Sequence, residues 1–291
     1  MNSNKKSPNL IIPGFPKSGT SSLFDYLCQH PEIFRPKIKE PHTYAFDERY
    51  LSRFNSNEPF NFNNLYSNSE NYKYVPDGST IYLISDKALS RIKRDHKQAK
   101  IIIIARDPIE RIFSHYNWLK MLGYEQKGFR KELLLENSSK FYPTKHIKGN
   151  YKNYIEFSMY AKQLKRCYKV FDSKNIYITS LERLRSEFEV VMNEIFNHLE
   201  IENIKVEKEL KNKTPKVSRI RKRIPTKLKI LERKINTNII SDSFIFNKKI
   251  KPIKFNLKDE EFVFNFLKKD LIKLEEMNLY FPEWETVNKY L

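Results

Sequence analysis

Short apolar runs alternate with amphipathic stretches along most of the chain. Three runs, at residues 10–12, 100–105 and 175–179, are rich in isoleucine and other apolar residues, which is typical of strands that a parallel sheet buries on both faces. Elsewhere, apolar side chains recur at helical spacing. They predict helices from Ser21 onward, around 88–94, and over 108–122, 150–171, 184–199 and 257–279. Strands that alternate with helices indicate an α/β fold of three layers, in which helices flank a mostly parallel central sheet.

Other segments carry weaker patterns. Residues 73–75 suggest one further short strand, and a loop follows at 76–80. Residues 43–72 are predicted to hold little beyond short helical turns, and 124–149 to form an irregular, basic excursion. We also predict a basic and irregular region over 205–256.

The first apolar run leads into a glycine-containing loop and then into a predicted helix. Loop N–H groups and the helix N-terminus, which carries about half a positive charge, converge on a point where an anion can bind. Gly14 and Gly19 reproduce the G-x-x-x-x-G spacing of a nucleotide P-loop. However, Thr20 and Ser21 stand where that motif has Lys and Ser/Thr, and the lysine lies inside the loop at Lys17. The segment therefore predicts a P-loop-like anion site with a displaced cation.

The strongest apolar run, at 100–105, ends in Arg106-Asp107-Pro108. Asp107 is suited to cap the following helix and Pro108 to open it. Ligands of parallel α/β sheets bind beyond the carboxyl ends of the strands, so this turn and the loop at 13–20 should share one edge. Two cations without an obvious magnesium carboxylate suit a ligand with phosphates at two separate places better than a nucleoside triphosphate.

The composition suits a globular protein. The 291 residues are 40% hydrophobic and 31% charged, which excludes a disordered chain, and we predict one domain over 1–291 with 1–8 flexible. The net charge of +19 indicates an anionic partner, although lysine and asparagine richness also reflects genome base composition. The basic residues are spread along the chain without a known nucleic-acid-binding module, so we predict no nucleic-acid partner.

The sequence also bears on location. No apolar run reaches the roughly 18 residues of a membrane span, and the N-terminus lacks the apolar stretch of a signal peptide. We therefore predict no membrane span and a cytoplasmic location. The two cysteines, Cys28 and Cys167, fall within helical patterns and are predicted to be core residues rather than a disulfide framework.

Five segments match a known family. They are residues 14–23, the Lys-Glu-Pro-His stretch at 39–42, residues 104–116, Ser-Met-Tyr at 158–160, and residues 274–284. On these segments the chain resembles the sulfotransferases that use 3′-phosphoadenosine 5′-phosphosulfate (PAPS). The Lys-Glu-Pro-His stretch is similar to that of the heparan-type and bacterial carbohydrate branch.

The resemblance implies roles for individual residues toward PAPS and its product, adenosine 3′,5′-bisphosphate. Lys17 would contact the bridging oxygen, where charge develops as the sulfuryl group departs, and Arg106 would bind the 3′-phosphate together with Ser114. The late basic loop lacks the family's glycine, so Lys213 is only one candidate there for closing over the cofactor. The remaining residues expected to bind the cofactor are Ser18, Gly19, Thr20, Ser21, Ser22, Ser158 and Tyr160.

The same resemblance offers a general base. Glu40 would take a proton from an acceptor hydroxyl during in-line attack on sulfur, and Lys39 would shape its pKa or touch the sulfate. His42 is the rival base, because an imidazole titrates near neutral pH without tuning. A purely structural role for this proline-rich loop is the third possibility, and His115 is expected to pack or to position rather than to react.

We therefore expect an enzyme, a PAPS-dependent sulfotransferase that modifies a hydroxyl or an amine, with a glycan as the expected acceptor. The reaction is expected to need no metal. An ATP-dependent P-loop kinase of small molecules and a non-enzymatic binder of polyanions or nucleic acid are the alternatives.

Overall fold

A four-stranded, all-parallel sheet forms the centre of the computed structural model. The strands run in the order β2-β1-β3-β4. They are β1 (Leu10–Ile11), β2 (Pro76–Asp77), β3 (Lys100–Ala105) and β4 (Ile176–Ser180). The structure describes residues 7–45, 65–85, 87–121, 125, 127–138, 152–208, 218–223, 243–248, 251–279 and 281–291.

Strand β3 divides the core into two layers. Successive side chains of a strand point to opposite faces, so Ile101, Ile103 and Ala105 enter one apolar cluster while Ile102 and Ile104 enter another. All five side chains are at most 1% exposed. Helices cover both faces of the sheet, which confirms the predicted three-layer α/β fold.

The helices follow the predicted pattern in most of the chain. One face of the sheet carries α1 (Thr20–Leu27), α6 (Leu181–Ser186) and α7 (Phe188–Leu199). The other face carries α2 (Ala88–Asp95), α3 (Pro108–Met121), α4 (Phe129–Ser138), α5 (Tyr160–Val170) and α8 (Leu257–Glu276). Among the described residues, no helix has the length and apolar character that a membrane crossing requires.

Two predicted helices differ from those observed. The segment predicted as one helix over 184–199 is two helices that meet at Glu187. Leu184 and Val191 are seven residues apart and both buried, so the apolar pattern continues through the break. Helix α5 begins at Tyr160 rather than at 150. Glu156–Ser158 form a separate 3-10 turn, and Met159, with φ of −79° and ψ of 75°, leaves the helical conformation between that turn and α5.

We predicted a strand at 73–75 and a loop from 76, but the observed strand lies further along the chain, at 76–77. Tyr74 makes only an isolated bridge, and the strand paired with β1 is Pro76–Asp77. Proline is tolerated there because β2 is an edge strand, with a neighbour on one side only.

Regular structure also occurs where we predicted none. Helix α4 lies inside the 124–149 excursion, where Phe129 and Leu133 are buried but Leu134 and Leu135 are exposed, which blurs the amphipathic signal. Strands β5 (Ser218–Arg223) and β6 (Ser243–Lys248) form an antiparallel pair inside 205–256. Their pairing is between distant segments, so local composition does not reveal it. Cys167 is buried and Cys28 is half-buried, both as free thiols.

Candidate active site

The loop between β1 and α1 is fixed to the carboxyl end of β3. Its Phe15 N–H donates to the Ile104 carbonyl at 2.8 Å, and the Ile104 N–H donates to the Gly14 carbonyl at 3.1 Å. The Phe15 ring is fully buried and stacks on the Tyr160 ring, with 4.0 Å between the ring centroids. The loop is therefore held by backbone pairing on one side and by aromatic packing on the other.

The start of α1 is open to an anion. Gly19 has φ of 89°, and a Cβ built on it would lie 2.6 Å from Leu181 Cδ1, so both conformation and space require glycine. Because Gly19 has no side chain to cap the helix and the first turn has no acidic residue, the first N–H groups of α1 are available to a negatively charged ligand. Ser21 and Ser22 are half-buried in the same turn.

Lys17 lies in this loop with a positive φ of 68°. Its ammonium is 4.9 Å from the centroid of the Trp118 ring on α3. Its pKa is lowered from 10.5 to about 8, chiefly by burial and also by the positive charges of Arg106 and Arg111, while Glu40 acts in the opposite direction. A buried lysine whose pKa is lowered by neighbouring cations belongs to a site that favours a bound anion.

Arg106 follows β3 at the same edge of the sheet. Its guanidinium donates to Glu110 Oε2 at 3.3 Å, and Ser114 is one helical turn beyond Glu110, half-buried on α3. Asp107 caps α3, as predicted, by accepting hydrogen bonds from the N–H groups of Ile109 and Glu110 at 3.0 and 3.2 Å.

The start of α1 and Lys17 together form what we call the anion cradle. A second loop brings a carboxylate to this cradle. Lys39 donates to Glu40 Oε1 at 2.6 Å and to the Thr20 hydroxyl at 3.2 Å. The other carboxylate oxygen of Glu40 accepts a hydrogen bond from the Thr80 hydroxyl at 3.2 Å. The same oxygen is 3.9 Å from His42 Nε2.

The two candidate bases are in opposite electrostatic situations. Burial raises the pKa of Glu40, but the charges of Lys39 and His42 and the hydrogen bonds from Lys39 and Thr80 outweigh it and hold the pKa below its ordinary value. Burial lowers the pKa of His42 more than Glu40 raises it. Glu40 is therefore ionised near neutral pH. If His42 acted as the base it would become an imidazolium, and the buried surroundings of His42 disfavour that charged form.

The turn after β2 supports the Glu40 loop. The His42 N–H donates to the Ser79 hydroxyl at 2.9 Å, and the Ser79 N–H donates to Asp77 Oδ1 at 2.9 Å. Tyr82 donates its hydroxyl to Asp77 Oδ2 at 2.7 Å. Burial raises the pKa of the fully buried Asp77 to about 6, despite these hydrogen bonds.

Comparison with known proteins agrees with this geometry. The sequence profile of the sulfotransferase domain matches residues 7–234. The chain belongs to the sulfotransferase domain family. The resemblance inferred from the sequence motifs is thereby confirmed at the level of the family.

Individual relatives of this sulfotransferase are distant. Over 186 residues it is 27% identical to mouse heparan sulfate glucosamine 3-O-sulfotransferase 5, a match that covers 62% of this chain and 49% of that protein. The chain thus spans about half the length of this curated relative.

Two solved sulfotransferases share its fold. The enzyme from Alicyclobacillus acidocaldarius superposes with a TM-score of 0.69 at 21% identity, covering 96% of this chain and 99% of that one. Mouse sulfotransferase SULT7A1, solved in complex with PAP, superposes with a TM-score of 0.51 at 12% identity, covering 98% of this chain and 90% of that one.

Three residues expected near the cofactor are buried in the wall of the candidate site. Ser158 is 1% exposed, donates to the Pro108 carbonyl at 3.1 Å and accepts from Arg111 Nε. Tyr160 is also buried and donates its hydroxyl to the Arg106 carbonyl at 2.9 Å. Ser18 is fully buried. These positions suit residues that hold the loop and the Arg106 turn in place.

Arg111 is the main buried link in that wall. Its fully buried guanidinium donates to the Pro16 carbonyl at 3.5 Å and to the Tyr154 carbonyl, and it lies 3.4 Å from His115 Nδ1. Burial lowers its pKa to about 10, which still leaves it charged. His115 is buried against it, as a packing or positioning residue should be.

The set of site residues predicted from the sequence differs from the observed set, as three positions show. Lys213 lies outside the described residues. Thr80 and Trp118 were not singled out from the sequence, although each has a recognisable position. Thr80 follows β2 at the carboxyl end of the sheet, and Trp118 is one turn beyond Ser114 on the helix that opens after β3.

Proposed function

We propose that this chain transfers a sulfuryl group from PAPS to a hydroxyl or amine of an acceptor. The observation that carries the proposal is the convergence of Lys17, Arg106 and Arg111 with the ionised Glu40 at one edge of the sheet. A cationic cradle alone suits any phosphate ligand. A carboxylate beside the cradle adds a group that accepts a proton from a nucleophile.

The donor-binding residues fit a molecule with anionic groups at two places. The N–H groups at the start of α1 and the ammonium of Lys17 suit the 5′-phosphosulfate. Arg106 offers a charged fork for the 3′-phosphate, and Ser114 adds a neutral hydroxyl one turn beyond the Glu110 that pairs with Arg106. A 3′-phosphate is the group that separates PAPS from ATP, so this second anchor favours PAPS over a kinase substrate.

Sulfuryl transfer in this site is a single displacement at sulfur. The acceptor oxygen or nitrogen forms a bond to sulfur while the bond from sulfur to the bridging oxygen breaks. Glu40 takes the proton that the acceptor loses. Lys17 stabilises the negative charge that develops on the departing bisphosphate, which lowers the barrier because the charge is greatest in the transition state.

A glycan is the acceptor class we favour. The mouse relative named above is a heparan sulfate glucosamine 3-O-sulfotransferase, and the chain's net charge of +19 suits an anionic polysaccharide. We expect acceptor specificity to lie in residues 43–72, 124–149 and 205–235, which carry the least sequence pattern.

Thermal unfolding with two ligands tests the proposal. Adenosine 3′,5′-bisphosphate at about 100 times its dissociation constant should stabilise the protein by about 2.7 kcal/mol, and ATP with magnesium should give a smaller shift. A shift with ATP and magnesium but none with the bisphosphate would identify a nucleotide site of the kinase type instead. Transfer of labelled sulfate from PAPS to a panel of desulfated glycans then tests the acceptor class.

A further inference from the structure

One ammonium connects the two halves of the proposed site. Lys39 Nζ lies 2.6 Å from Glu40 Oε1 and 3.2 Å from the hydroxyl of Thr20. Thr20 is the first residue of α1, where the backbone N–H groups are available to bind an anion. The candidate base and the anion cradle therefore share one cation, and the side chain of Lys39 is only 20% exposed.

The position of that ammonium is fixed by its stem. A Cβ built on Gly78 would lie 3.0 Å from Lys39 Cε, 3.1 Å from Lys39 Cγ and 3.0 Å from Phe24 Cδ2. The Gly78 N–H also donates to the Lys39 carbonyl at 2.9 Å. The lysine stem thus passes through a gap that glycine leaves open, with the backbone anchored on the same side.

The charges that face Glu40 come from three segments. Lys39 and His42 belong to its own loop, Lys17 to the α1 loop, and Asp77 to β2. Of these four residues, Lys39 is the one that donates a hydrogen bond directly to the carboxylate. Asp77 repels it, and the buried surroundings of His42 disfavour its imidazolium.

We propose that Lys39 is a positioning residue through which an anion in the α1 cradle controls how strongly Glu40 attracts a proton. The proposal rests on the function proposed above. Without donor, the ammonium of Lys39 pairs with the Glu40 carboxylate and makes Glu40 a weaker base. A phosphosulfate at the start of α1 draws the ammonium toward Thr20, and Glu40 then attracts the proton of the acceptor more strongly. The base is therefore strengthened when there is a sulfuryl group to transfer.

Titration of Glu40 in the free protein tests the first half of the proposal. The side-chain carbon signals of labelled glutamates are followed against pH, and Glu40→Gln identifies the signal. We expect Lys39→Met to raise the titration midpoint of Glu40, because its strongest counter-charge is gone. Lys39→Arg, which keeps the charge, should restore most of the effect. Lys37→Met is the matched control, since Lys37 is an exposed lysine of the same loop.

Gly78→Ala tests the same link with all charges kept. The added methyl group crowds both the Lys39 stem and the Phe24 ring. The stem is the more flexible of the two, so the methyl group should displace it and raise the midpoint of Glu40, although less than in Lys39→Met. A midpoint that Lys39→Met leaves unchanged, or that Lys37→Met raises equally, overturns the proposal.

The second half is the response to ligand. Adenosine 3′,5′-bisphosphate should raise the midpoint of Glu40 more in the wild type than in Lys39→Met, where only direct repulsion remains. An equal rise in both proteins overturns the coupling and leaves the proposed function intact. If the bisphosphate binds neither protein, the proposed function fails, and the coupling fails with it.

Turnover supplies an independent readout. In wild type and variants, kcat/KM is measured from pH 5 to pH 8. Each unit by which the acid limb moves upward in Lys39→Met lowers the ionised fraction of Glu40 about tenfold on that limb. A uniform loss of activity without a displaced acid limb would indicate a merely structural lysine and would overturn the proposal.

Discussion

Glu40 and His42 lie within 3.9 Å of each other, and substitution separates their roles. We expect Glu40→Gln to lower the rate of sulfuryl transfer by about 10²- to 10⁴-fold, the usual contribution of a general base. The amide keeps the size of the side chain, so affinity for adenosine 3′,5′-bisphosphate should change little. Single-turnover transfer and calorimetric titration measure the two quantities.

The matched variant is His42→Asn, because His42 has a positive φ of 57° and asparagine tolerates that conformation. It should retain far more activity than Glu40→Gln. Normal turnover in Glu40→Gln together with an inactive His42→Asn would assign the base to His42.

Lys17 makes donor binding a proton-linked event. Its pKa of about 8 in the free protein means that much of it is neutral above pH 8. A bound phosphate restores the charge by raising that pKa, so binding of the bisphosphate should take up protons at pH 8.5 but hardly any at pH 7. Calorimetric titration in buffers of different ionisation enthalpy measures this uptake.

Lys17→Met is the control for that experiment. It should bind the bisphosphate more weakly and with no additional proton uptake at the higher pH. Uptake that persists in the variant would mean that another group, and not Lys17, responds to the phosphate.

Among the elements, the junction of the loop with α1 depends on a single glycine. Gly19→Ala places a methyl group against Leu181 and forces alanine into a positive φ, so we expect the free energy of unfolding to fall by about 1–3 kcal/mol. The further substitution Leu181→Ala removes the obstructing methyl groups but not the backbone strain. Relative to Leu181→Ala alone, Gly19→Ala should then cost less than it does in the wild type. Urea unfolding of the four proteins gives the values.

Gly128→Ala provides the comparison, because nothing lies within 4 Å of a Cβ built on Gly128. Its effect should stay within about 0.5 kcal/mol of zero. A similar loss at both glycines would show that the contact with Leu181 is not the cause.

Features that rest on a local sequence pattern could be predicted, whereas features that depend on contacts between distant segments could not. The strand of isoleucines, the glycine loop and the Arg106 turn were predictable because each rests on a local pattern: a continuous apolar run, a glycine spacing, and a cap followed by proline. Thr80 escaped notice because β2 is a two-residue strand containing Pro76, a residue that argues against a strand. The β5–β6 pair escaped because its pairing is set by a distant segment. The link from Lys39 to Thr20 depends on how two loops meet, which spacing along the chain does not express.

At the scale of the whole molecule, the net charge of +19 should act on long acceptors more than on the donor. Raising the salt concentration from about 0.05 M to about 0.2 M should weaken binding of a long sulfated glycan far more than binding of the bisphosphate. The reason is that each additional ionic contact releases counterions. Affinities measured in a salt series give the two slopes. Equal slopes would mean that the charge outside the site does not take part in acceptor binding.

Asp107 joins regions that are far apart in the chain. Besides capping α3, it accepts hydrogen bonds from the N–H groups of Thr286 and Val287 at 2.9 and 2.8 Å. Trp284 packs against Tyr160 with 5.7 Å between the ring centroids. Chains grow from the N-terminus on the ribosome, so these partners are made well after the loop at 13–20. The loop at 13–20 is synthesised early, yet the wall behind Arg106 is complete only after residues 284–287 have left the ribosome. A nascent chain should therefore gain its full affinity for the bisphosphate only once residues 284–287 have emerged and packed.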